Sequence, residues 1–245
     1  MFFNRFVVFA HRGASGSVLE NTAEAFRLAC QQDADAVEFD VMLTKDGVPV
    51  VFHDESLERL AGVKKRVDET DFADLRKIAL KSVYAIPSFE EVLDILKTYY
   101  MPMNIEIKPS RKETQTERAT ANAVLATLAK KGMLQRANGK ILVSSFSREA
   151  LNVVGVVAPH LEKAVLSESL TPQDLAFARR IKAVSVHLLA SKITKEAVAA
   201  AQSHGLTVCA YTVNDPLLAR KFAANGIEGI FADNFQAVQR AVRGG

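Results

Sequence analysis

Short apolar runs rich in β-branched and aromatic residues alternate along the chain with longer segments of helical periodicity. The short runs predict strands at 6–10, 36–42, 103–108, 140–145, 163–167, 183–188, 207–212 and 229–232. The longer segments predict helices near 21–33, 88–98, 114–131, 147–157, 171–181, 194–204, 214–225 and 234–243. Eight strand–helix units in strict alternation indicate an α/β fold with a parallel sheet, and eight is the number that closes a (β/α)8 TIM-type barrel.

A ninth apolar run at 48–53 follows the second strand after Asp46-Gly47, a pair typical of a two-residue type I′ hairpin turn. The opposing pairs in this register are Lys45 with Val48, Asp40 with His53, and Glu38 with Glu55. The run is therefore expected to return beside the second strand as a hairpin above the barrel mouth. That arrangement leaves eight strands for the barrel.

Residues 54–85 are charged and have no clear period, which predicts a small insertion after the hairpin, near the active-site mouth. Either a lid over the site or a surface insertion fits this composition. The length of 245 residues suits one α/β barrel, and no long linker interrupts the pattern. We therefore expect residues 1–245 to form a single domain.

Composition excludes several function classes. The net charge of +3 is too small to favour nucleic acid as a partner, and a solvated loop explains the short basic run Lys64-Lys65-Arg66. No segment approaches the roughly 20 apolar residues that span a bilayer, so stable membrane insertion is not expected. Cys30 and Cys209 lie far apart and are expected to be free thiols, which favours a reducing, cytoplasmic location.

Three carboxylates stand at the ends of the second and third predicted strands: Glu38, Asp40 and Glu106. Active sites of this fold gather at those ends. Three ionised carboxylates in an apolar setting would repel one another, and a divalent cation resolves the repulsion. Oxygen-only ligands suit Mg²⁺ or Ca²⁺ rather than Zn²⁺. Ion pairs with neighbouring basic residues are the alternative explanation.

Two histidines and two positively charged side chains are expected beside this cluster. His11 follows the first strand and His53 ends the returning strand of the hairpin, so one imidazole can accept a proton while the other donates one. Arg12 and Lys108 supply positive charge that suits a phosphate. His187 ends the sixth strand, where a structural hydrogen bond would also explain it. Together these groups favour cleavage of an anionic phosphodiester.

The ordered motifs of the chain resemble the glycerophosphodiester phosphodiesterase family. The matching segments are His11-Arg12-Gly13, Glu20-Asn21-Thr22, Glu38-x-Asp40, Asp46-Gly47, His53-Asp54, Pro87-Ser88-Phe89-Glu90-Glu91, Glu106-x-Lys108, Ser144-Ser145-Phe146, Thr212-Val213-Asn214 and Gly229-Ile-Phe-Ala-Asp233-Asn234. They run in order across essentially the whole chain. A lone His-Arg-Gly would be weak, whereas the ordered set is highly specific.

The resemblance implies a TIM-type barrel with a small insertion after the His-Asp strand. By similarity His11 and His53 are the general acid/base pair, while Arg12 and Lys108 hold the phosphate. Glu38, Asp40 and Glu106 would hold one divalent cation, Mg²⁺ or Ca²⁺. The implied reaction hydrolyses deacylated phospholipids, such as glycerophosphocholine or glycerophosphoethanolamine, to glycerol 3-phosphate and an alcohol.

The chain departs from the family pattern at two positions. Leu19 replaces a proline that stiffens a turn, and little effect on chemistry is expected. Tyr211 replaces the usual tryptophan before Thr-Val-Asn; it can still form an apolar wall against substrate, with an added hydroxyl. This substitution leaves the choice of leaving alcohol open.

Other functions on the same barrel stay open. A lysophospholipase D-type phosphodiesterase would need an apolar entry for an acyl chain, and a non-catalytic phosphate-binding barrel would bind without turnover. A metal amidohydrolase would want a His-x-His pair where this chain has His11-Arg12. The expected partner is a small-molecule phosphodiester, and the sequence does not decide between a monomer and a homodimer.

Overall fold

The computed structural model describes residues 2–109, 117–135 and 140–244, and its centre is one closed sheet. The strands are β1 Val7–Ala10, β2 Ala36–Leu43, β3 Pro49–Val51, β4 Met103–Ile107, β5 Ile141–Ser145, β6 Glu162–Ser167, β7 Ser185–Leu189, β8 Thr207–Tyr211 and β9 Gly229–Ala232. Eight of them run parallel in the order β1-β9-β8-β7-β6-β5-β4-β2, and the β1–β2 pairing closes the barrel. The predicted (β/α)8 barrel is confirmed, with β3 as the additional antiparallel strand.

Helices connect the barrel strands. Their bounds are α1 Ala23–Gln31, α2 Glu58–Ala61, α3 Phe72–Leu75, α4 Phe89–Thr98, α5 Glu117–Lys130, α6 Arg148–Val157, α7 Pro172–Ile181, α8 Lys195–Ser203, α9 Pro216–Ala224 and α10 Phe235–Arg243. The predicted helices correspond to α1 and α4–α10; the first three residues of the 114–131 prediction lie outside the described residues. Capping boxes at Ser88 and Thr171 explain two of the starts, because each cap accepts from a backbone N–H three residues on.

Strand periodicity divides the barrel interior into an apolar lower half and a polar upper half. Phe9 and Phe231 stack inside at 4.4 Å between ring centroids, on two paired strands. Side chains two residues further along point the same way, so His11 and Asp233 come next on those faces. The alternate side chains of each strand face the helices in a second apolar layer. The fold thus closes the bottom with aromatic rings and leaves polar groups at the mouth.

The hairpin register differs by one residue from the prediction. Leu43 pairs with Pro49 and Val41 with Val51, so Phe52 rather than His53 opposes Asp40. The predicted pairing of Glu38 with Glu55 is also wrong, because β3 pairs no further than Val51 and β1 pairs with the beginning of β2 on that edge.

The turn itself explains this slip. Gly47 has φ +81° and adds one residue to a type I turn, so the loop has three residues instead of two. Thr44 stabilises this loop with its hydroxyl, which donates to Asp46 Oδ1 and accepts from Val48 N at 2.9 Å. His53 consequently lies beyond the paired part of β3.

The insertion over residues 54–85 packs on the hairpin. It contains α2, a 3-10 turn at Val67–Glu69 and α3. Its own apolar cluster includes Leu57, Leu60 and Leu75, which pack with Val50 and Phe52 of the hairpin. The insertion is therefore attached to the element that carries His53.

Two further expectations concern the whole chain. Cys30 and Cys209 are buried free thiols, as predicted. Across the described ranges, helices are too short or too polar to cross a bilayer.

Candidate active site

The barrel mouth holds a cavity of about 210 Å³. Most of the residues singled out from sequence line it: His11, Arg12, Glu38, His53, Glu106, Lys108 and Tyr211. Asp40 does not line the cavity but belongs to the carboxylate cluster beside it. The strand-end prediction therefore brings all eight residues to one place, from five different strands or the segments that follow them.

Glu38, Asp40 and Glu106 form the carboxylate cluster. One oxygen from each lies within 4.8 Å of the others, and the residues are 3%, 1% and 9% exposed. Burial and the neighbouring Asp40 charge raise the pKa of Glu38 to about 8, and the same two causes raise the pKa of Glu106. Glu38 Oε1 is buried and has no hydrogen-bond partner among the described residues. Crowded oxygen ligands with an unpartnered atom fit a hard divalent cation.

Asp40 is held ionised despite its burial. Burial alone would raise its pKa, but Lys108 Nζ at 3.4 Å and Arg12 Nε at 3.3 Å lower it below its usual value. Asn21 adds a hydrogen bond from Nδ2 to Asp40 Oδ2 at 2.9 Å. Lys108 also donates to Glu106 Oε1 at 3.0 Å. The positive charges of Arg12 and Lys108 thus partly balance the negative charge of the carboxylate cluster, which is what the ion-pair alternative predicts.

A left-handed backbone segment places Arg12. Arg12 has φ 54° and the next residue, Gly13, has φ +80°. A Cβ on Gly13 would lie 2.9 Å from the backbone of Ala25 in α1, so only glycine lets this loop pass the helix. The turned backbone directs Arg12 N to Glu38 Oε2 at 3.0 Å. The Arg-Gly motif therefore shapes the loop as well as supplying a guanidinium.

His11 is paired with Asp233 at the end of β9. Its Nδ1 lies 2.7 Å from Asp233 Oδ1, and its Nε2 lies 3.9 Å from Glu38 Oε2. Asn214 Nδ2 donates to the other oxygen of Asp233 at 2.7 Å, and Ser15 Oγ lies 3.1 Å from Oδ1. Burial would lower the pKa of His11, but the Asp233 bond and the Glu38 charge outweigh it and raise the pKa.

His53 is paired with its neighbour Asp54. The Nδ1–Oδ1 distance is again 2.7 Å, and Asp54 also accepts from Arg59 of α2. Burial lowers the pKa of His53, and the positive charges of Lys108 and Arg12 lower it further, against the Asp40 charge. The hydrogen bonds to Arg59 and His53 hold Asp54 ionised, so Nδ1 of His53 is the nitrogen that carries hydrogen.

Aromatic and aliphatic side chains form the remaining wall of the cavity. Tyr211 and Phe146 meet edge to face at 6.2 Å between centroids, next to Leu166. The Tyr211 hydroxyl donates to the carbonyl of Ser167 at 3.1 Å. This bond uses the hydroxyl that distinguishes tyrosine from the usual tryptophan.

His187 lies inside the barrel, where it lines the cavity beside Phe231. It is 1% exposed, its Nε2 lies 3.1 Å from Ser185 Oγ, and its ring centroid is 4.9 Å from that of Phe231. Burial lowers its pKa to about 3, so it is neutral at ordinary pH. The structural hydrogen bond considered from sequence is present.

Several residues of the site had no role assigned from sequence. Asp233, Asn214, Glu20 and Asp54 appear in the sequence only as parts of the matching motifs. Arg59 gave no signal at all, because it lies in a stretch without period. Asp233 meets His11, and Arg59 meets Asp54, through contacts formed only in the folded chain, which explains why a one-dimensional pattern missed these pairs.

Comparison with known proteins agrees with this geometry. Residues 11–237 match the model of the glycerophosphoryl diester phosphodiesterase family. A glycerophosphodiester phosphodiesterase of Bacillus altitudinis is 32% identical over 92% of this chain and 94% of its own. A phosphodiesterase of Oleispira antarctica, solved in complex with the product sn-glycerol-3-phosphate, superposes with a TM-score of 0.88 at 28% identity, covering 98% of this chain and 97% of its own. A mouse lysophospholipase D is 44% identical, but over only 38% of this chain and 24% of its own.

Proposed function

The chain belongs to the glycerophosphoryl diester phosphodiesterase family, and from that membership we propose that it hydrolyses glycerophosphodiesters to glycerol 3-phosphate and an alcohol. Glycerophosphocholine and glycerophosphoethanolamine are the proposed substrates. The observation that carries the proposal is one small cavity where three kinds of group meet. They are the carboxylate cluster, the positively charged side chains of Arg12 and Lys108, and the two histidine–carboxylate pairs. These are the groups that a phosphodiester needs for charge neutralisation and proton transfer.

Glu38, Asp40 and Glu106 are the proposed ligands of one divalent cation, Mg²⁺ or Ca²⁺. Their buried oxygens and the unpartnered Oε1 of Glu38 support this assignment. Such an ion would stabilise negative charge on the phosphoryl group and lower the pKa of a hydroxyl bound to it.

Arg12 and Lys108 are the proposed phosphate-binding residues. Both line the cavity, and both already balance Asp40 at 3.3–3.4 Å. Each can therefore neutralise substrate charge without leaving the carboxylates unpaired. Tyr211 and Phe146 would lie against the apolar part of the glycerol or of the head group.

His11 and His53 are the proposed proton-transfer pair. One histidine takes the proton of the glycerol hydroxyl next to the phosphodiester, and that oxygen bonds to phosphorus. The bond from phosphorus to the head-group oxygen breaks, and that oxygen takes a proton from the other histidine. Water then opens the cyclic phosphate with the two proton transfers reversed, which releases glycerol 3-phosphate.

An assay of product release tests the proposal. Purified protein is stripped with EDTA, reloaded with Mg²⁺ or Ca²⁺, and given glycerophosphocholine or glycerophosphoethanolamine while glycerol 3-phosphate is measured. We expect release that depends on added cation. Full activity after exhaustive chelation would contradict the metal assignment, and no release from any glycerophosphodiester would contradict the function.

The same assay separates the alternatives. Lysophosphatidylcholine as the preferred substrate would indicate a lysophospholipase D; the short match to the mouse enzyme supports this less well than the full-length match to the glycerophosphodiester enzyme. Binding of glycerol 3-phosphate without any turnover would indicate a phosphate-binding barrel. We further propose that residues 1–245 act as a single domain, and the two buried free thiols support a cytoplasmic location.

A further inference from the structure

We propose that Arg59, on helix α2 of the insertion, is a positioning residue. It keeps one proton-transfer group, His53, and one phosphate-binding group, Arg12, correctly oriented in the site. The inference rests on the proposed function of His53 and Arg12. It assigns the insertion a role in assembling the site rather than in covering it.

Arg59 bridges two carboxylates that support different parts of the site. Its Nη1 and Nη2 donate to the two oxygens of Glu20 at 2.9 and 2.7 Å, and its Nε donates to Asp54 Oδ2. Asp54 in turn accepts from His53, and Glu20 accepts from Arg12 Nη1 at 2.8 Å. The Arg59 guanidinium therefore joins Asp54, the partner of His53, to Glu20, the partner of Arg12.

The geometry favours a positioning role for Arg59 over direct contact with substrate. Arg59 does not line the cavity, and its Nε, Nη1 and Nη2 are all occupied by carboxylates. The planar fork can meet Glu20 with two donors and Asp54 with a third at the same time. A lysine ammonium is a point charge and cannot keep both contacts with this directionality.

The insertion supplies a rigid support for this bridge. Leu57 and Leu60, on either side of Arg59, are 0% and 5% exposed and belong to the apolar cluster shared with the hairpin. Gly62 ends α2 in the left-handed conformation, and its N–H donates to the carbonyl of Glu58. Arg59 is thus carried by packed backbone, although its own side chain is 46% exposed.

Loss of Arg59 should act on both functions of the site. His53 would lose the support of Asp54, which lowers kcat, and Arg12 would lose the support of Glu20, which raises KM. We expect Arg59→Ala to change each about tenfold, and Arg59→Lys to recover only part of either change, since it cannot span both carboxylates.

Arg76→Ala is the matched control. Arg76 also joins the insertion to the barrel, with Nη1 donating to Ile86 O and to Glu91 Oε2 at 3.2 Å each, and its side chain is 39% exposed. The contacts of Arg76 within the described part of the chain, with Ile86, Glu91 and Phe72, lie outside the site. Arg76→Ala should lower the melting temperature about as much as Arg59→Ala while leaving kcat and KM within about twofold of the parent.

Two double-variant cycles test the two arms separately. In an Asp54→Asn background, Arg59→Ala should have little further effect on kcat; in a Glu20→Gln background, it should have little further effect on KM. Full additivity in both cycles, or kinetics of Arg59→Ala equal to those of Arg76→Ala, would overturn the inference.

A measurement without turnover separates this inference from the proposed function. The imidazole NMR signals of His53 and the affinity for sn-glycerol 3-phosphate are recorded for the metal-loaded parent, Arg59→Ala and Arg76→Ala. Altered His53 signals and weaker affinity in Arg59→Ala alone support the positioning role even if no diester is hydrolysed. Unchanged signals and affinity in Arg59→Ala would reject it even if hydrolysis is rapid.

Discussion

The two histidine–aspartate pairs at the mouth have the same local geometry and different surroundings. In both, Nδ1 of the imidazole lies 2.7 Å from a carboxylate oxygen. His11 and Asp233 follow two paired barrel strands, whereas His53 and Asp54 are sequence neighbours beyond the hairpin. One pair is therefore built into the barrel and the other is attached to it.

The supports of the two carboxylates differ accordingly. Asp233 is surrounded by Asn214 and Ser15, which come from the loops of the barrel itself. Asp54 depends on Arg59 of the insertion. Substitutions in the barrel pair, His11–Asp233, should thus lower the stability of the fold. Substitutions in the hairpin pair, His53–Asp54, should affect mainly the site.

The pKa values of the two histidines shift in opposite directions. The pKa of His11 is raised because the Asp233 bond and the Glu38 charge outweigh burial, and the pKa of His53 is lowered because burial and the charges of Lys108 and Arg12 outweigh Asp40 and Asp54. An adjacent carboxylate alone therefore does not determine the pKa of an imidazole, which depends on burial, hydrogen bonds and all the neighbouring charges together.

The largest expected effect comes from removing either imidazole. His11→Ala and His53→Ala should each lower kcat for glycerol 3-phosphate release by roughly 10²–10⁴-fold, because a proton transfer loses its group. His11→Ala should also lower the melting temperature, since Asp233 loses its partner. His204→Ala, at an exposed helix end, is the control. Near-full turnover by a folded His53→Ala protein would contradict the assignment.

Removing the carboxylate charges comes next. Asp233→Asn should destabilise the protein by roughly 1–3 kcal/mol, because an amide nitrogen would face groups that donate. Asp54→Asn should cost less in stability, since two side chains of the described residues bond to Asp54 and three to Asp233, and should lower kcat about tenfold or more. Urea unfolding and product release measure the two effects. A greater loss of stability for Asp54→Asn would reverse the comparison.

The pH dependence of stability should separate the pairs in metal-free protein. His11, whose pKa is raised in the folded protein, adds to the free energy of unfolding. This contribution is complete below pH 6.5, the pKa of an unfolded histidine, and is lost as pH rises through the folded pKa. The contribution of His53, whose pKa is lowered, is complete above 6.5 and is lost as pH falls through its folded pKa.

Unfolding free energies in EDTA measure this difference. The parent should lose its stability advantage over His11→Asn as pH rises above 6.5, and its stability advantage over His53→Asn as pH falls below 6.5. Parallel curves for parent and variant in either range would contradict the corresponding direction of the pKa.

The smallest effect is expected from Ser15→Ala. Asp233 keeps its bonds to His11 and Asn214 when this hydroxyl is removed, and the hydroxyl also lies 2.6 Å from the carbonyl of His11. We expect a loss of about 1 kcal/mol in stability and less than about threefold in kcat. A loss of activity as large as that of Asp233→Asn would mean that the barrel pair has less support than its contacts indicate.

Much of the fold followed from the sequence because it depends on local periodicity. Every predicted strand is present, and the predicted ends of the barrel strands lie within two residues of the observed ones. The site followed for the same reason: Phe231 and Asp233, or Asn104 and Glu106, are two apart and so share a strand face. Polar residues at those positions had to meet at the mouth once the barrel was closed.

The hairpin shows where a local rule fails. Asp46-Gly47 correctly predicted a tight turn but not its length, because Thr44 and the left-handed Gly47 stabilise a three-residue loop. A one-residue shift changes every opposing pair, so Asp40 lies opposite Phe52. His53 still reaches the cavity because it lies beyond the paired strand.

By itself the sequence determined the barrel, its insertion and the eight residues that gather at the mouth, since a two-residue strand period and a 3.6-residue helix period are properties of neighbouring residues. Only the tertiary structure decided the hairpin register, the Arg59 bridge and the opposite pKa directions of His11 and His53. Each of these depends on groups that are distant in the chain, and both hydrogen bonds and charge interactions act through space.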